Sequence, residues 1–268
     1  MPPTGHRTAP LTGNLEKVAV ENCDNYVSAE PFPSIVFDNF FNASVLDKIL
    51  NDFPQNINKI GNEYNNKAEK KLSLNDSEKF SDTTNNFINY LNSASFVKFL
   101  NKLTGIEETL ITDPYLIGGG LHELKNGGHL NVHADFNQHP KMKLDRRLNI
   151  LIYLNHNWKE SNGGHLELWD KDMKECKNKI LPIFNRMVVF STTDFSYHGN
   201  PDIVKTEDGN SRKSIALYYY SNGRPNEERK LGMHSTIFRK RPGTDDVDGN
   251  LEFKKLFGKI YLKSKKKI

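Results

Sequence analysis

The sequence predicts a mainly β protein with flanking helices (α+β), whose strands form a two-sheet antiparallel jelly roll, the double-stranded β-helix. Three observations carry that expectation. From Tyr115 onward, short runs of β-favouring side chains recur between turn signals. Helical spacing of apolar residues is confined to the region before them. With 268 residues, the chain is long enough to bury one large core.

Residues 1–30 are rich in Pro, Thr, Gly and Asn and read as a flexible leader. Residues 31–112 read as a helical support region packed on the core. Within it, Pro33 to Phe41 suggests a short strand entering a turn. Ala43 to Phe53 has helical spacing at Val45, Leu46, Ile49, Leu50 and Phe53, with Asn42 or Ser44 as the cap. Gln55 to Asp76 is polar and lysine-rich with little periodicity, which favours a surface loop over a lid. Helices are expected near Thr83 to Leu91 and Ser95 to Leu103, ending before Gly105.

Residues 113–223 form the expected β core. Its strands are Leu116 to Leu124, His129 to Ala134, Arg147 to Leu154, Gly164 to Trp169, Met187 to Ser191, Phe195 to His198 and Ser214 to Ser221. Pro182 and Asn185-Arg186 mark the connection before Met187. Residues 224–268 read as a C-terminal extension with a basic tail, the whole forming one globular domain. Its acidic stretch, Thr244 to Asn250, lacks the helical flanks and the correctly spaced closing Glu of a calcium loop, so it reads as turn-forming surface.

The formal net charge is +4. Lys263, Lys265, Lys266 and Lys267 at the C-terminal end account for all of it, so the body is neutral and offers no basic footprint for nucleic acid. Cys23 and Cys176 are far apart, which argues against a disulfide framework and for a reducing compartment. Met1 to Asn14 lacks the apolar centre of a signal peptide, and no run approaches the roughly 20 apolar residues of a membrane span. A soluble, cytoplasmic protein without a membrane partner is expected.

The chemistry concentrates around His133-Ala134-Asp135. Ligands at i and i+2 of an extended segment share a face, so His133 and Asp135 can grip one ion. His198, in Ser196-Tyr197-His198-Gly199, would supply a third ligand from another strand. Two imidazoles and a carboxylate on one face of a metal suit non-haem Fe(II) and leave three positions open. Seven of the nine histidines fall between His122 and His198, which strengthens the metal reading. Arg212 opens a β-favouring run, Arg212 to Tyr220, where a guanidinium could hold a carboxylate through two charge-assisted hydrogen bonds. Alternation turns Lys213 to the opposite face.

With these residues in place, the stretch from Tyr115 to Gly223 resembles the Fe(II)/2-oxoglutarate-dependent dioxygenases, in their prolyl 4-hydroxylase-like branch. The resemblance rests on Gly118-Gly119-Gly120-Leu121-His122-Glu123, on His133-Ala134-Asp135-Phe136-Asn137, and on the run Arg147 to Asn155. It continues through Trp158, Gly163 to Trp169, His198-Gly199 and Arg212. It implies that His133, Asp135 and His198 are the iron ligands, and that Arg212 and Tyr153 hold the distal carboxylate of 2-oxoglutarate. Fe(II), 2-oxoglutarate and O2 are the implied cofactor and co-substrates, with ascorbate as a candidate reductant. The implied reaction hydroxylates a C–H bond with release of succinate and CO2.

Several prolyl hydroxylases carry a tyrosine on the strand before the His-x-Asp, where this chain has His122-Glu123. The substrate therefore stays open between a peptidyl proline, which the resemblance favours, and a free amino acid, a glycan or another small metabolite. Candidate substrate-lining residues are His122, Glu123, Phe136, Asn137, Arg146 and Trp169. Two other classes fit parts of the pattern. A zinc hydrolase could use two His and one Asp with an activated water, but has no use for Arg212. A non-catalytic, cupin-like binding protein would use the histidines as pocket polar groups.

Overall fold

A computed structural model describes residues 7–8, 14–206, 209–228 and 231–250. Helix starts follow their capping side chains. Asn42 accepts from the Ser44 amide and opens α2 (Ala43–Asn51). Ser81 caps α4 (Asp82–Leu91) and Ser93 caps α5 (Ala94–Thr104), which stops at Gly105 in the left-handed region, φ 68°. These three helices lie within a few residues of the expected positions.

Two expectations about the N-terminal half are corrected. The second half of the supposed leader holds α1 (Leu15–Val27), which packs on α5. Its buried stripe is Ala19, Asn22 and Tyr26, so a polar residue interrupts the apolar periodicity that would have announced it. Tyr26 anchors it to the core through a 2.8 Å hydrogen bond with Ser191. The supposed loop at 55–76 instead contains the short helix α3 (Ile57–Ile60) and a hairpin, with strands at Asn62–Asn65 and Glu69–Leu74. Its outward positions are Lys, Glu and Asn, which hid the alternation. The basic tail and, apart from Arg7–Thr8, residues 1–13 of the leader lie outside the described residues.

In chain order the strands are β1 (Arg7–Thr8), β2 (Ser34–Asp38), the hairpin strands β3 and β4 just given, β5 (Ile111–Thr112), β6 (Gly120–Leu124) and β7 (His129–Ala134). There follow β8 (Asp145–Tyr153), β9 (Leu166–Trp169), β10 (Cys176–Ile180), β11 (Arg186–Ser191), β12 (His198–Asn200), β13 (Arg212–Ser221), β14 (Ile237–Phe238) and β15 (Gly249–Asn250). Strand β6 starts later than expected because residues 113–119 form a turn, in which the Asp113 carboxylate accepts from the amides of Tyr115 and Ile117. Strand β12 begins at His198 rather than ending there, and β10, with Lys177 and Lys179 exposed, was not foreseen.

One antiparallel run reads β2-β11-β8-β13-β6-β4, and β4 also pairs with β7, which continues into β12-β9-β10. The chain thus curls a larger sheet over a smaller one, the jelly-roll arrangement the strand spacing predicts. Alternation divides the larger sheet cleanly. Leu148, Ile150, Ile152, Ile215, Leu217 and Tyr219 join the helices in the main core. Leu151 and Tyr153 pack on the inner side with Phe32, Leu166, Leu168, Val188 and Phe190. By the same alternation Arg212, Ser214, Ala216 and Tyr218 of β13 face inward. Among the described residues, no helix is long and apolar enough to cross a membrane.

Strands β7 and β12 approach each other closely at Gly199. A Cβ at Gly199 would lie 2.8 Å from the carbonyl oxygens of Leu130 and Asn131 and 2.9 Å from the Cα of Val132. All three are backbone atoms that cannot swing aside. Gly199→Ala is expected to push β12 away from β7 and to destabilise the fold by about 1–3 kcal/mol. Urea unfolding of the two proteins checks this.

Candidate active site

The register of β7 with β12 sets His198 directly opposite His133. Their rings sit 4.6 Å apart at 49°. His133 Nδ1 lies 2.8 Å from the Asn131 carbonyl and His198 Nδ1 lies 2.9 Å from the Ser196 carbonyl. A carbonyl only accepts, so each Nδ1 carries the proton and each Nε2 presents a lone pair. Asp135, just past the end of β7, brings its carboxylate to 3.5 Å from His133 Nε2 and 3.3 Å from His198 Nε2. The three ligand atoms lie within 4.8 Å of one another. Phe190 covers His198 at 4.6 Å and Phe238 flanks His133 at 5.7 Å.

Three acceptors converging on one point, with no donor among them, fit a cation. Cis ligands of an ion bound at about 2.1 Å lie about 3 Å apart, close to the observed spacing. Electrostatics agree. Burial, and then the facing His198, lower the pKa of His133, which favours the neutral imidazole a metal needs. Burial opposes ionisation of Asp135, but Arg146, then His198, outweigh it and hold the carboxyl well below its usual range.

Inward from the ligands lies a second polar feature. Arg212, 3 % exposed, donates through Nε to the Gly164 carbonyl at 2.7 Å and through Nη2 to the Tyr153 hydroxyl at 3.3 Å. Gly164 makes this approach possible, since a Cβ there would meet the Arg212 side chain at 2.9 Å. Among the described residues no carboxylate pairs with Arg212, and burial lowers its pKa with only partial relief from Tyr153. A buried guanidinium without a counter-charge is costly, and an anionic ligand would offset that cost. Two N–H groups toward one carboxylate is the geometry that suits it.

Residues 119–220 match the family model described as the 2OG-Fe(II) oxygenase superfamily. The matched segment contains His133, Asp135, Tyr153, His198 and Arg212. Prolyl 3-hydroxylase OGFOD1 of Mus musculus is 30% identical over 79 residues, a match that spans 28% of this chain and 14% of that protein. Among solved structures, a Pseudomonas putida prolyl-4-hydroxylase superposes with a TM-score of 0.54 at 13% identity, covering 76% of this chain and 100% of the other. A Trichoplax adhaerens prolyl hydroxylase, solved with a hypoxia-inducible-factor peptide fragment, gives 0.55 at 19% identity, covering 82% and 94%. At these identities the structural likeness establishes the double-stranded β-helix fold.

The matched family's description implies Fe(II) and 2-oxoglutarate, and the acceptor cluster and the buried Arg212 fit both. The candidate substrate residues divide by position. Phe136 and Arg146 lie together at the mouth of the barrel, with the Arg146 guanidinium 4.5 Å from the Phe136 ring and 3.5 Å from that of Tyr218. His122 shares the inward face of β6, its Nε2 3.0 Å from the Gly118 carbonyl; burial, then the Lys71 cation, push its pKa down to about 3, so it is neutral. Glu123 is not at the site. It sits on the outer face opposite Lys213, as alternation requires, and accepts from Ser211. Trp169 also faces outward, packed with Val132, Ala134 and Tyr197 and donating to Glu167. Asn137 has its amide engaged by Asp194, Gly232 and the His234 amide, which ties residues 231–238 beside β7.

Sequence reasoning missed Asn149, Tyr218, Phe190 and Gly164. Asn149 and Tyr218 are cross-strand partners on the inner face, and a polar Asn among apolar strand residues was the available signal.

Two outcomes are expected. His133→Ala or His198→Ala should abolish tight binding of Mn(II) while circular dichroism reports an intact fold, read by equilibrium dialysis. Arg212→Ala should weaken 2-oxoglutarate binding to the metal-loaded protein by roughly 3 kcal/mol or more, because it leaves a buried carboxylate unpaired. Metal affinity should change far less, and calorimetric titration of each ligand separates the two.

Proposed function

We propose that the chain is a 2-oxoglutarate-dependent hydroxylase acting on a C–H bond, with a peptidyl proline as its substrate. The observation that carries this reading is the pairing of a facial His133, Asp135, His198 set with a buried, counter-charge-free Arg212 beside Tyr153. Bound Fe(II) supplies the means to split O2, one oxygen atom entering the substrate as hydroxyl and the other entering succinate as CO2 leaves. The protein's own part is to bind, orient and exclude water.

His133, Asp135 and His198 would hold the metal from one side and leave its other side open to ligands. Arg212 and Tyr153 fix the far carboxylate of the co-substrate. Leu166, Leu168, Val188 and Phe190 form an apolar wall beside them, which keeps bulk water from the reacting end. At the mouth, the ring faces of Phe136 and Tyr218 suit a flat, apolar pyrrolidine. Arg146 Nη1 is buried and without a partner, so it offers an N–H to a backbone carbonyl of the bound peptide. The prolyl hydroxylases to which this chain is similar support the proline assignment.

A zinc hydrolase would leave the Arg212 and Tyr153 pocket without a purpose. A cytoplasmic, reducing location is supported by Cys23 and Cys176, both free thiols.

The test is incubation of the protein with Fe(II), 2-oxoglutarate, O2 and a panel of proline-containing peptides, read by succinate release and by peptide mass. The expected result is peptide-stimulated succinate and the gain of one oxygen atom on proline. Succinate stimulated only by amino acids, glycans or small metabolites would overturn the proline assignment. No succinate under any condition, with zinc-supported hydrolysis of an ester or amide, would overturn the oxygenase reading.

A further inference from the structure

Asp135 is gripped on one oxygen by two side chains of a single strand. Asn149 Nδ2 donates to Asp135 Oδ2 at 2.8 Å, and Arg146 Nη2 lies 3.0 Å from the same oxygen. Arg146 also donates through Nε and Nη2 to Asn149 Oδ1, at 3.0 and 2.7 Å. Those bonds fix the amide's orientation, since its oxygen must face the guanidinium and its NH2 the carboxylate. The guanidinium is held in turn between the rings of Phe136 and Tyr218.

The placement of Arg146 has a backbone cause. In strict alternation from Asn149, residue 147 would face inward and residue 146 outward. The register between β8 and β13 slips here: Tyr219 opposes Leu148, Tyr220 opposes Arg146, and Arg147 is the extra residue of a bulge. A bulge re-aims the side chains beyond it. Arg146 is thereby brought to the inner face, 1 % exposed, beside Asp135. Arg147 leaves the site for Glu108 and the Ser221 hydroxyl.

We propose that Arg146 and Asn149 are positioning residues that hold the Asp135 carboxylate against the two imidazoles without either touching the ion. Asn149 donates to Oδ2 and the Arg146 cation lies beside the same oxygen. So held, Oδ2 sits 3.3 Å from His198 Nε2 and Oδ1 3.5 Å from His133 Nε2. Asp135 lies past the end of β7, so this clamp, rather than strand geometry alone, fixes where its carboxylate meets the other two ligands. This inference rests on the metal reading of His133, Asp135 and His198.

The test titrates the metal-free protein with Co(II), recording affinity and the visible ligand-field spectrum, which reports coordination number. Wild type is compared with Asn149→Leu, which keeps the volume and removes the donor, and with Arg146→Lys, which keeps a cation but cannot bridge Asp135 and Asn149. Thermal unfolding confirms each fold, and Arg146→Lys is read alone if Asn149→Leu does not fold. Each variant should bind Co(II) about 10- to 100-fold more weakly, with a changed spectrum. Wild-type affinity and spectrum in every folded variant would overturn the clamp. Wild type that binds no Co(II), or binds it equally well after His133→Ala, would overturn the metal reading and the clamp with it.

Discussion

Everything at the site depends on the pairing of β7 with β12, which places His198 against His133 across the sheet. The two residues are far apart in the chain, so only a fixed register can keep their Nε2 atoms within reach of one ion. Gly199 permits that register, because any side chain there would strike the backbone of β7. The same backbone supplies the carbonyls of Asn131 and Ser196, which hold both protons on Nδ1 and turn the lone pairs inward. Strand geometry thus sets position, ring orientation and tautomer together.

The energetic character of the barrel follows from its two faces. The outer face of the larger sheet is apolar and buried under the helices, and that surface supplies the stability. The inner face carries Arg146, Asp135, Asn149, Tyr153 and Arg212, groups that cost free energy to bury. Asp135 and Arg146 offset one another. Arg212 has no such partner among the described residues, so part of the folding free energy maintains a receptor for an anion. Ligands that neutralise the acceptor cluster and the lone guanidinium should both bind tightly and stabilise the fold.

Much of this was legible in the sequence, for identifiable reasons. The ligand set and Arg212 stand on strands where period-two spacing decides which side chains share a face, and the same rule sent Lys213 outward. It would also have excluded Glu123 and Trp169 from the site had the alternation been carried along β6 and β9. What could not be read was whatever depends on pairing between distant segments. The bulge at Arg147, which brings Arg146 to Asp135, is a property of two strands in register and leaves no mark on either alone. Helix α1 and the hairpin of β3 and β4 were obscured differently, by polar residues at positions that packing buries or leaves at an edge. The link from Asn137 to residues 231–238 likewise appears only once the chain has folded back beside β7.

The central claim is that one metal and one 2-oxoglutarate meet at this cluster. Anaerobic titration of the metal-free protein with Fe(II) and 2-oxoglutarate, followed by visible absorption, tests it most directly. The account predicts a charge-transfer band that needs both components, is lost in His198→Ala, and disappears on admission of O2 as succinate forms. A folded protein that binds Fe(II) yet develops no band with 2-oxoglutarate, and releases no succinate in air, would contradict it.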